Sequence, residues 1–390
     1  MAWIIPEHKL DPQQNEFINR QDYTQNNIWI KGFPGSGKSI LLAYTLKQIK
    51  NRNPKAKVVV VVFTRSLVQM FKEAFAEMNI NVEVKTFYEF IKTSSHYDYV
   101  LSDEVQDLVP SVLQAMYRRA DHVVVAGDEN QSIYERDPQL KEETVSPSQI
   151  TSILSCKGFE LGIIHRLSSS IIEIVQRLNP NMNVFSAKRD LTKVSTQVRI
   201  CKAMSDIEEV KYVLQQASKA TRIGETAVIL LPTQKSIIKF VNTALISEGK
   251  EQWIEQVNHW GKTDFKAMNT HLSCNNMNLE YVGSGIGSFS SNNNHVIIMT
   301  YHSSKGLDFD NVFIPFVNKD MYIVPDCELS RTLFMVALTR SRNNLYLSYN
   351  RYQHEYLNSF SSVCNAIDIH EALTSGTTFN SNGKGNVFGI

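Results

Sequence analysis

Short apolar runs alternate with segments of helical period along the first third of the chain. Strands are predicted over 27–31, 58–63, 82–86, 98–102 and 122–127, and helices over 38–50, 66–78 and 110–119. This βα alternation argues a parallel sheet covered by helices on both faces. A polar, proline-bearing break near 136–152 reads as an interdomain linker. Alternation then resumes, with strands predicted over 197–202, 226–231, 295–300, 311–315 and 343–349. Helices are predicted there over 168–178, 205–219, 234–246 and 330–340. The expectation is two α/β domains, 1–140 and 141–372. The pattern lapses at 248–294, which reads as a small insertion or a long loop, and 373–390 reads as a flexible tail.

Composition narrows the classes. The chain has 390 residues, 43% hydrophobic and 20% charged, as expected of a soluble globular protein large enough for several cores. Forty basic residues against thirty-nine acidic ones give a net charge of +1. A polyanion partner would therefore meet a local groove, not an overall field. Five scattered cysteines without paired spacing suggest reduced thiols in a cytoplasmic setting. The N-terminus lacks the look of an export signal, and no apolar run approaches the ~20 residues of a membrane helix, so no membrane partner is expected.

The strongest local chemistry is Gly32-Phe33-Pro34-Gly35-Ser36-Gly37-Lys38-Ser39, set between a predicted strand and a predicted helix. That context makes it a phosphate-binding loop. Gly32, Gly35 and Gly37 let backbone N–H groups, with that of Ser36, close around phosphates at a helix N-terminus. Lys38 adds a point charge and the Ser39 hydroxyl can ligate Mg²⁺. A nucleoside triphosphate is the expected ligand. Downstream, Asp103-Glu104 ends a predicted strand of the same sheet. Asp103 can anchor the metal shell, and Glu104 can orient or deprotonate an attacking water. After another predicted strand comes Gly127-Asp128-Glu129-Asn130-Gln131-Ser132-Ile133-Tyr134, where Gln131 could sense a γ-phosphate.

Together these segments closely resemble the UvrD/Rep-like superfamily 1 helicases, and further motifs of that family occur in order. Leu10-Asp11-Pro12-Gln13-Gln14 resembles its adenine-reading motif, with Gln14 as reader. Phe63-Thr64-Arg65 and Thr86-Phe87-Tyr88-Glu89-Phe90 resemble its first-domain strand-binding motifs. His165-Arg166-Leu167-Ser168, the run from Thr300 to Phe309, and Val336-Ala337-Leu338-Thr339-Arg340-Ser341-Arg342 resemble its second-domain motifs. The resemblance implies two RecA-like parallel-sheet domains with a nucleotide cleft between them. It implies ATP and Mg²⁺ as cofactors, with Lys38, Glu104, Gln131, Arg166 and Arg340 catalytic. His165, Gly306 and Asp308 would join the nucleotide contacts. Phe63, Thr64, Thr86, Tyr88, Tyr134 and His302 would line a groove for single-stranded DNA, RNA remaining compatible. Arginine suits the cross-domain role because its planar fork stays charged and binds phosphate oxygens in pairs.

Four departures from the family stand out. Only sixteen residues separate Thr86 from Asp103, so the first-domain helical insertion is missing. The 248–294 segment is much shorter than the relatives' second-domain insertion. Glu135-Arg136-Asp137-Pro138 replaces the usual base-stacking run. Ile40 and His165 replace an Arg and a Tyr that flank the adenine. None touches the phosphates, whereas the missing insertions are the parts that usually meet a duplex. The expected activity is therefore an ATP-driven, 3′→5′ translocase or helicase on single-stranded DNA. The alternatives are a nucleic-acid-stimulated ATPase that works with a protein partner, docked through 248–294 or the tail, and an ATP-switched binding module.

Overall fold

The computed structural model describes residues 5–33, 35–128, 136–137, 139–165, 167–180, 188–189, 195–289 and 295–374. The first sheet is formed by β1 (Asn27–Gly32), β2 (Val58–Val62), β3 (Glu83–Thr86), β4 (Tyr97–Ser102), β5 (Ala120–Gly127) and β6 (Cys156–Leu161). Its order is β3-β2-β4-β5-β1-β6, and every pairing is parallel. All five valines of β2 are buried, as a strand covered on both faces requires. The helices of this half are α1 (Pro12–Arg20), α2 (Lys38–Arg52), α3 (Arg65–Glu77), α4 (Phe87–Ile91), α5 (Pro110–Arg118) and α6 (Pro147–Leu154).

A two-stranded pair, β7 (Ile163–Ile164) and β8 (Lys188–Arg189), stands between the large sheets. The second sheet holds β9 (Gln197–Lys202), β10 (Ala227–Leu231), β11 (Leu279–Tyr281), β12 (Val296–Thr300), β13 (Phe309–Ile314), β14 (Ser341–Tyr349) and β15 (Asn365–Asp368). Its order is β11-β12-β10-β13-β14-β9-β15, again all parallel. Around it lie α7 (Ser169–Leu178), α8 (Asp206–Arg222), α9 (Gln234–Ser247), α10 (Phe265–Cys274), α11 (Cys327–Leu338), α12 (Glu355–Asn358) and α13 (Ile369–Thr374). Two parallel sheets with flanking helices form the expected α/β architecture of two RecA-like domains.

The elements differ from expectation in three places. The 136–152 stretch contains most of α6, and β6 pairs along the whole of β1, so the first sheet draws a strand from beyond residue 140. The 248–294 segment is not bare loop. It supplies α10 and edge strand β11, and buries Trp253, Phe265, Met268, Leu272 and Tyr281 in the second domain's core. β15 and α13 extend the second domain to residue 374, into the first two positions of the expected tail.

The domains share an apolar seam. Leu67, Met70 and Phe71 of α3 belong to the same core cluster as Val282, Phe289, Leu307 and Phe309 of the second half. Burying a side chain of this size fully is worth roughly 1.5–3 kcal/mol. The seam thus contributes to holding the two lobes together. Among the described residues, no helix is long and apolar enough to cross a membrane.

Candidate active site

The loop joining β1 to α2 turns through two left-handed glycines, Gly35 (φ 77°) and Gly37 (φ 90°), conformations that residues with a Cβ avoid. A side chain at Gly37 would also strike the Gln14 amide, and one at Gly32 would lie 2.6 Å from Ser36 Oγ. Lys38 opens α2, and its Nζ donates to the carbonyls of Gly32 (2.7 Å) and Phe33 (3.0 Å), so the ammonium is folded over the loop. Ser36 Oγ is buried without a hydrogen-bond partner among the described residues. An orphaned hydroxyl of this kind suits a loop built to receive further acceptors.

Gln14 sits beneath this loop. Its Nε2 donates to Ser36 O (3.0 Å), and its Oε1 accepts the Asp11 N–H (3.1 Å) in the capping box that starts α1. Both ends of the amide are therefore engaged by the chain itself. His165 N–H donates to Gly35 O (3.0 Å), and its Nε2 lies 2.5 Å from Asp11 Oδ2. Gln14 and His165 thus brace the phosphate loop and the start of α1 from two sides.

Across the sheet, β4 ends at Ser102 and delivers Asp103 and Glu104. Ser39 Oγ donates to Asp103 Oδ2 at 2.5 Å, which brings the two expected metal donors into contact. A hydroxyl beside a carboxylate fits Mg²⁺, which keeps several waters and shares phosphate oxygens rather than filling a protein cage. Glu104 has φ 53°, unusual for a residue with a side chain. Its Oε2 accepts from Gln106 Nε2 (2.5 Å), while Gln106 Oε1 accepts the Asp128 N–H (3.1 Å). A Cβ at Gly127 would collide with Gln106 and with Val105, so glycine is required where β5 passes this turn.

The second domain closes the site with charge. Lys305 is buried, forms an ion pair with Asp107, and lies 3.9 Å from Glu104 Oε2. Arg340 is also buried, with Nε donating to Val336 O, Nη1 to Leu307 O and Nη2 to Thr339 Oγ1. The electrostatics of the acidic pair split. Burial, then the neighbouring Glu104 charge, pushes Asp103 above the usual carboxylate range, against the Ser39 hydrogen bond and Lys38. Burial would also raise Glu104. The Lys305 charge outweighs it together with Lys38, the Gln106 hydrogen bond and Arg340, and Glu104 is held below its ordinary value. Lys305 of the second domain and Gln106 of the first thus meet at the Glu104 carboxylate.

The remaining expected residues lie elsewhere. Gly306 (φ 78°) abuts α3: a Cβ there would come 2.7 Å from Leu67 Cδ2. Asp308 forms an ion pair with Arg342. Thr64 caps α3 by accepting the Leu67 N–H (3.1 Å), and Thr86 caps α4 in a reciprocal box with Glu89. Phe63 stacks on buried Phe87 (centroids 5.3 Å apart), and Tyr88 donates to Asp137 Oδ2 (2.6 Å). His302 is pushed toward its neutral form by burial and by Lys305. Gln131, Tyr134 and Arg166 lie outside the described residues. The sequence reading assigned no role to Lys305, Gln106 or Asp107. Lys305 stands inside the quoted run from Thr300 to Phe309, but its pairing with Asp107 spans the two domains, whereas Gln106 joins Glu104 to Asp128 within the first.

The UvrD-like helicase C-terminal domain family matches residues 13–352. No curated protein matches the chain. Among solved structures, the PRRSV helicase is similar at 14% identity and a TM-score of 0.42, covering 87% of this chain and 54% of its own. Arterivirus nonstructural protein 10 (helicase) is similar at 14% identity and a TM-score of 0.41, covering 85% of this chain and 61% of its own. This chain thus spans less than two thirds of either protein. With the family match running over most of its length, the chain belongs to the UvrD-like helicase C-terminal domain family.

Proposed function

We propose that this helicase-family chain hydrolyses ATP with Mg²⁺ and uses the cycle to move along single-stranded DNA, in the 3′→5′ direction. The observation that carries the reading is Lys305 of the second domain lying 3.9 Å from Glu104 Oε2, beside the Ser39–Asp103 pair of the first. Bound Mg²⁺ would supply Lewis-acid charge at the phosphoryl oxygens. Ser39 and Asp103 would hold it, while the Gly32–Ser39 loop and Lys38 receive the phosphates. Glu104, kept ionised by its cationic neighbours, would orient the attacking water and accept its proton. Arg340, with Arg166 and Gln131, would meet the charge that develops as the phosphoryl group transfers. Because these groups come from both domains, turnover and domain closure are coupled, and closure is what an alternating grip on a strand requires. Phe63, Thr64, Thr86, Tyr88, Tyr134 and His302 would form that grip. The free, scattered cysteines favour the reducing cytoplasm.

A second reading, a motor that needs a protein partner, is favoured by Ile254, Val257 and Trp260, which are 78%, 66% and 73% exposed on the short insertion. Steady-state ATP turnover with single-stranded DNA, single-stranded RNA or neither, alongside a strand-displacement assay, tests both. Turnover stimulated by DNA with displacement supports the autonomous motor. Stimulation without displacement supports the partner-dependent one. No ATP turnover under any of these conditions overturns the proposal.

A further inference from the structure

The segment between β11 and β12 opens with a hairpin that belongs to the second domain but contacts the first. Gly283 and Ile286 exchange both backbone hydrogen bonds (3.0 and 2.8 Å) around Ser284 (φ 52°) and Gly285 (φ 84°). Two successive left-handed residues make the tight turn that matches strand twist. Its root is fixed: Asn269 brackets Tyr281 through both backbone groups, and Val282 N–H bonds Ile298 O. The tip reaches α3. Arg65 Nη1 donates to Ser284 O (3.2 Å), and Gln69 Nε2 donates to Gly287 O (2.7 Å). Glu73 Oε1 accepts from Ser288 Oγ (3.2 Å) and from Phe289 N–H (3.4 Å).

The location gives these contacts meaning. Arg65 directly follows Thr64, and a Cβ at Gly283 would stand 3.4 Å from Ser303 Oγ, one residue from His302. The hairpin therefore lies between the first-domain and second-domain ends of the proposed strand-binding groove. Its contact with Arg65 is also chemically incomplete. Among the described residues the exposed Arg65 guanidinium is met by one neutral carbonyl, whereas a phosphate offers charge and paired oxygens.

We propose that the 283–289 hairpin is an autoinhibitory strap. In the strand-free protein the Ser284 carbonyl holds the Arg65 guanidinium, and a phosphate of the incoming strand takes Arg65 over and displaces the hairpin tip. The inference rests on the nucleic-acid reading above. Gln69 and Glu73 then hold the strap without touching the strand, and Arg65 is the group for which strap and strand compete.

Fluorescence anisotropy with a labelled single-stranded DNA oligonucleotide tests this on the full chain, with hydrogen exchange followed at 283–289. The Gln69→Ala/Glu73→Ala variant is expected to bind about tenfold tighter, having lost the contacts that keep the strap closed. Ser288→Ala, a milder change at the same seam, moves affinity the same way by less. Arg65→Ala weakens binding and lowers the salt slope by about one phosphate contact. Oligonucleotide binding speeds amide exchange at 283–289 in the unaltered protein. Equal or weaker binding by the loosened variants, or slower exchange at 283–289 in the complex, overturns the strap and leaves the strand-binding reading standing. If the unaltered protein and every variant fail to bind, the strand-binding reading falls and the strap falls with it.

Discussion

Two carboxylates with opposite surroundings, Glu104 and Glu209, are shifted in opposite directions. In the cleft, Glu104 lies 3.9 Å from Lys305 of the second domain, and against the cost of burial that charge, helped by those of Lys38 and Arg340, holds it below its ordinary value. In the second domain, Glu209 of α8 is fully buried, but its partners are neutral. It accepts from Phe316 N–H (2.7 Å), Ser348 Oγ (2.7 Å) and Asn350 Nδ2 (2.5 Å). Burial is the larger influence there, and it pushes Glu209 up to about 7 despite those three donors. Asp206 adds to the rise, although Lys239 neutralises it at 2.7 Å. Desolvation acts alike on both groups, so the partner decides the outcome. The neutral donors to Glu209 come from within one domain, and one of them, the Phe316 N–H, belongs to a residue at φ 62°. The cations around Glu104 depend on two domains staying together. One centre is a brace within a single domain, while the other draws on two.

The sharpest way to break that contrast is to strip charge from the cleft. Lys38→Ala is expected to lower ATP turnover by ~10⁴-fold, because the γ-phosphate loses its main cation. Glu104→Gln should cost ~10³-fold in single-turnover rate while ATP binding persists, since the water loses its base and Ser39 and Asp103 remain. Arg340→Ala is expected to reduce kcat by ~10³-fold and KM far less, as contacts made in the transition state do. Steady-state kinetics on the three variants check this order. A loss of affinity with kcat preserved would show that the second-domain charge only holds substrate.

The cleft was more legible in the sequence than the brace, for a physical reason. A phosphate loop needs glycines, a lysine and a hydroxyl at fixed local spacing, so Gly32–Ser39 announces itself. Asp103 and Glu104 likewise end a strand of that sheet. Lys305 and Asp107 are 198 residues apart, and nothing local ties them. Gln14 was read as facing a ligand, and its amide also bonds Asp11 and Ser36, neighbours that a short polar motif does not specify. Cys156–Leu161 has three outer residues of mixed polarity and no clean alternation, so β6 was invisible until β1 was seen to pair with it. Glu209 follows Asp206 and Glu208 in the first turn of α8, where acidic residues ordinarily favour the helix dipole from solvent.

Glu209 makes the second domain's stability depend on pH with a defined sign. Its folded value, about 7, lies above the ordinary 4.5. The folded state therefore binds the proton more tightly than the unfolded chain. The stabilisation is fully present below 4.5 and is lost as pH rises through 7. The span corresponds to about 3 kcal/mol. Thermal unfolding followed across this range should lose that slope in Glu209→Gln, whose amide stays neutral. Cleft variants should keep the slope, which separates the two centres by measurement.

Ser348→Ala is the smallest change and the most discriminating. The Ser348 hydroxyl gives Glu209 Oε1 one of its two hydrogen bonds, the other coming from Phe316 N–H. Removing it leaves the backbone anchor and Asn350 in place, so the cost at neutral pH is only about 1–2 kcal/mol. The donor favours the ionised carboxylate, so its loss moves the Glu209 value upward. The pH at which stability falls should rise accordingly, with the low-pH plateau little altered because a protonated carboxyl depends less on that donor. Unfolding midpoints of Ser348→Ala from pH 4 to 9 read this directly. A uniform drop at every pH would mean that the hydroxyl packs without supporting charge, and the brace would then rest on Asn350 and the Phe316 backbone alone.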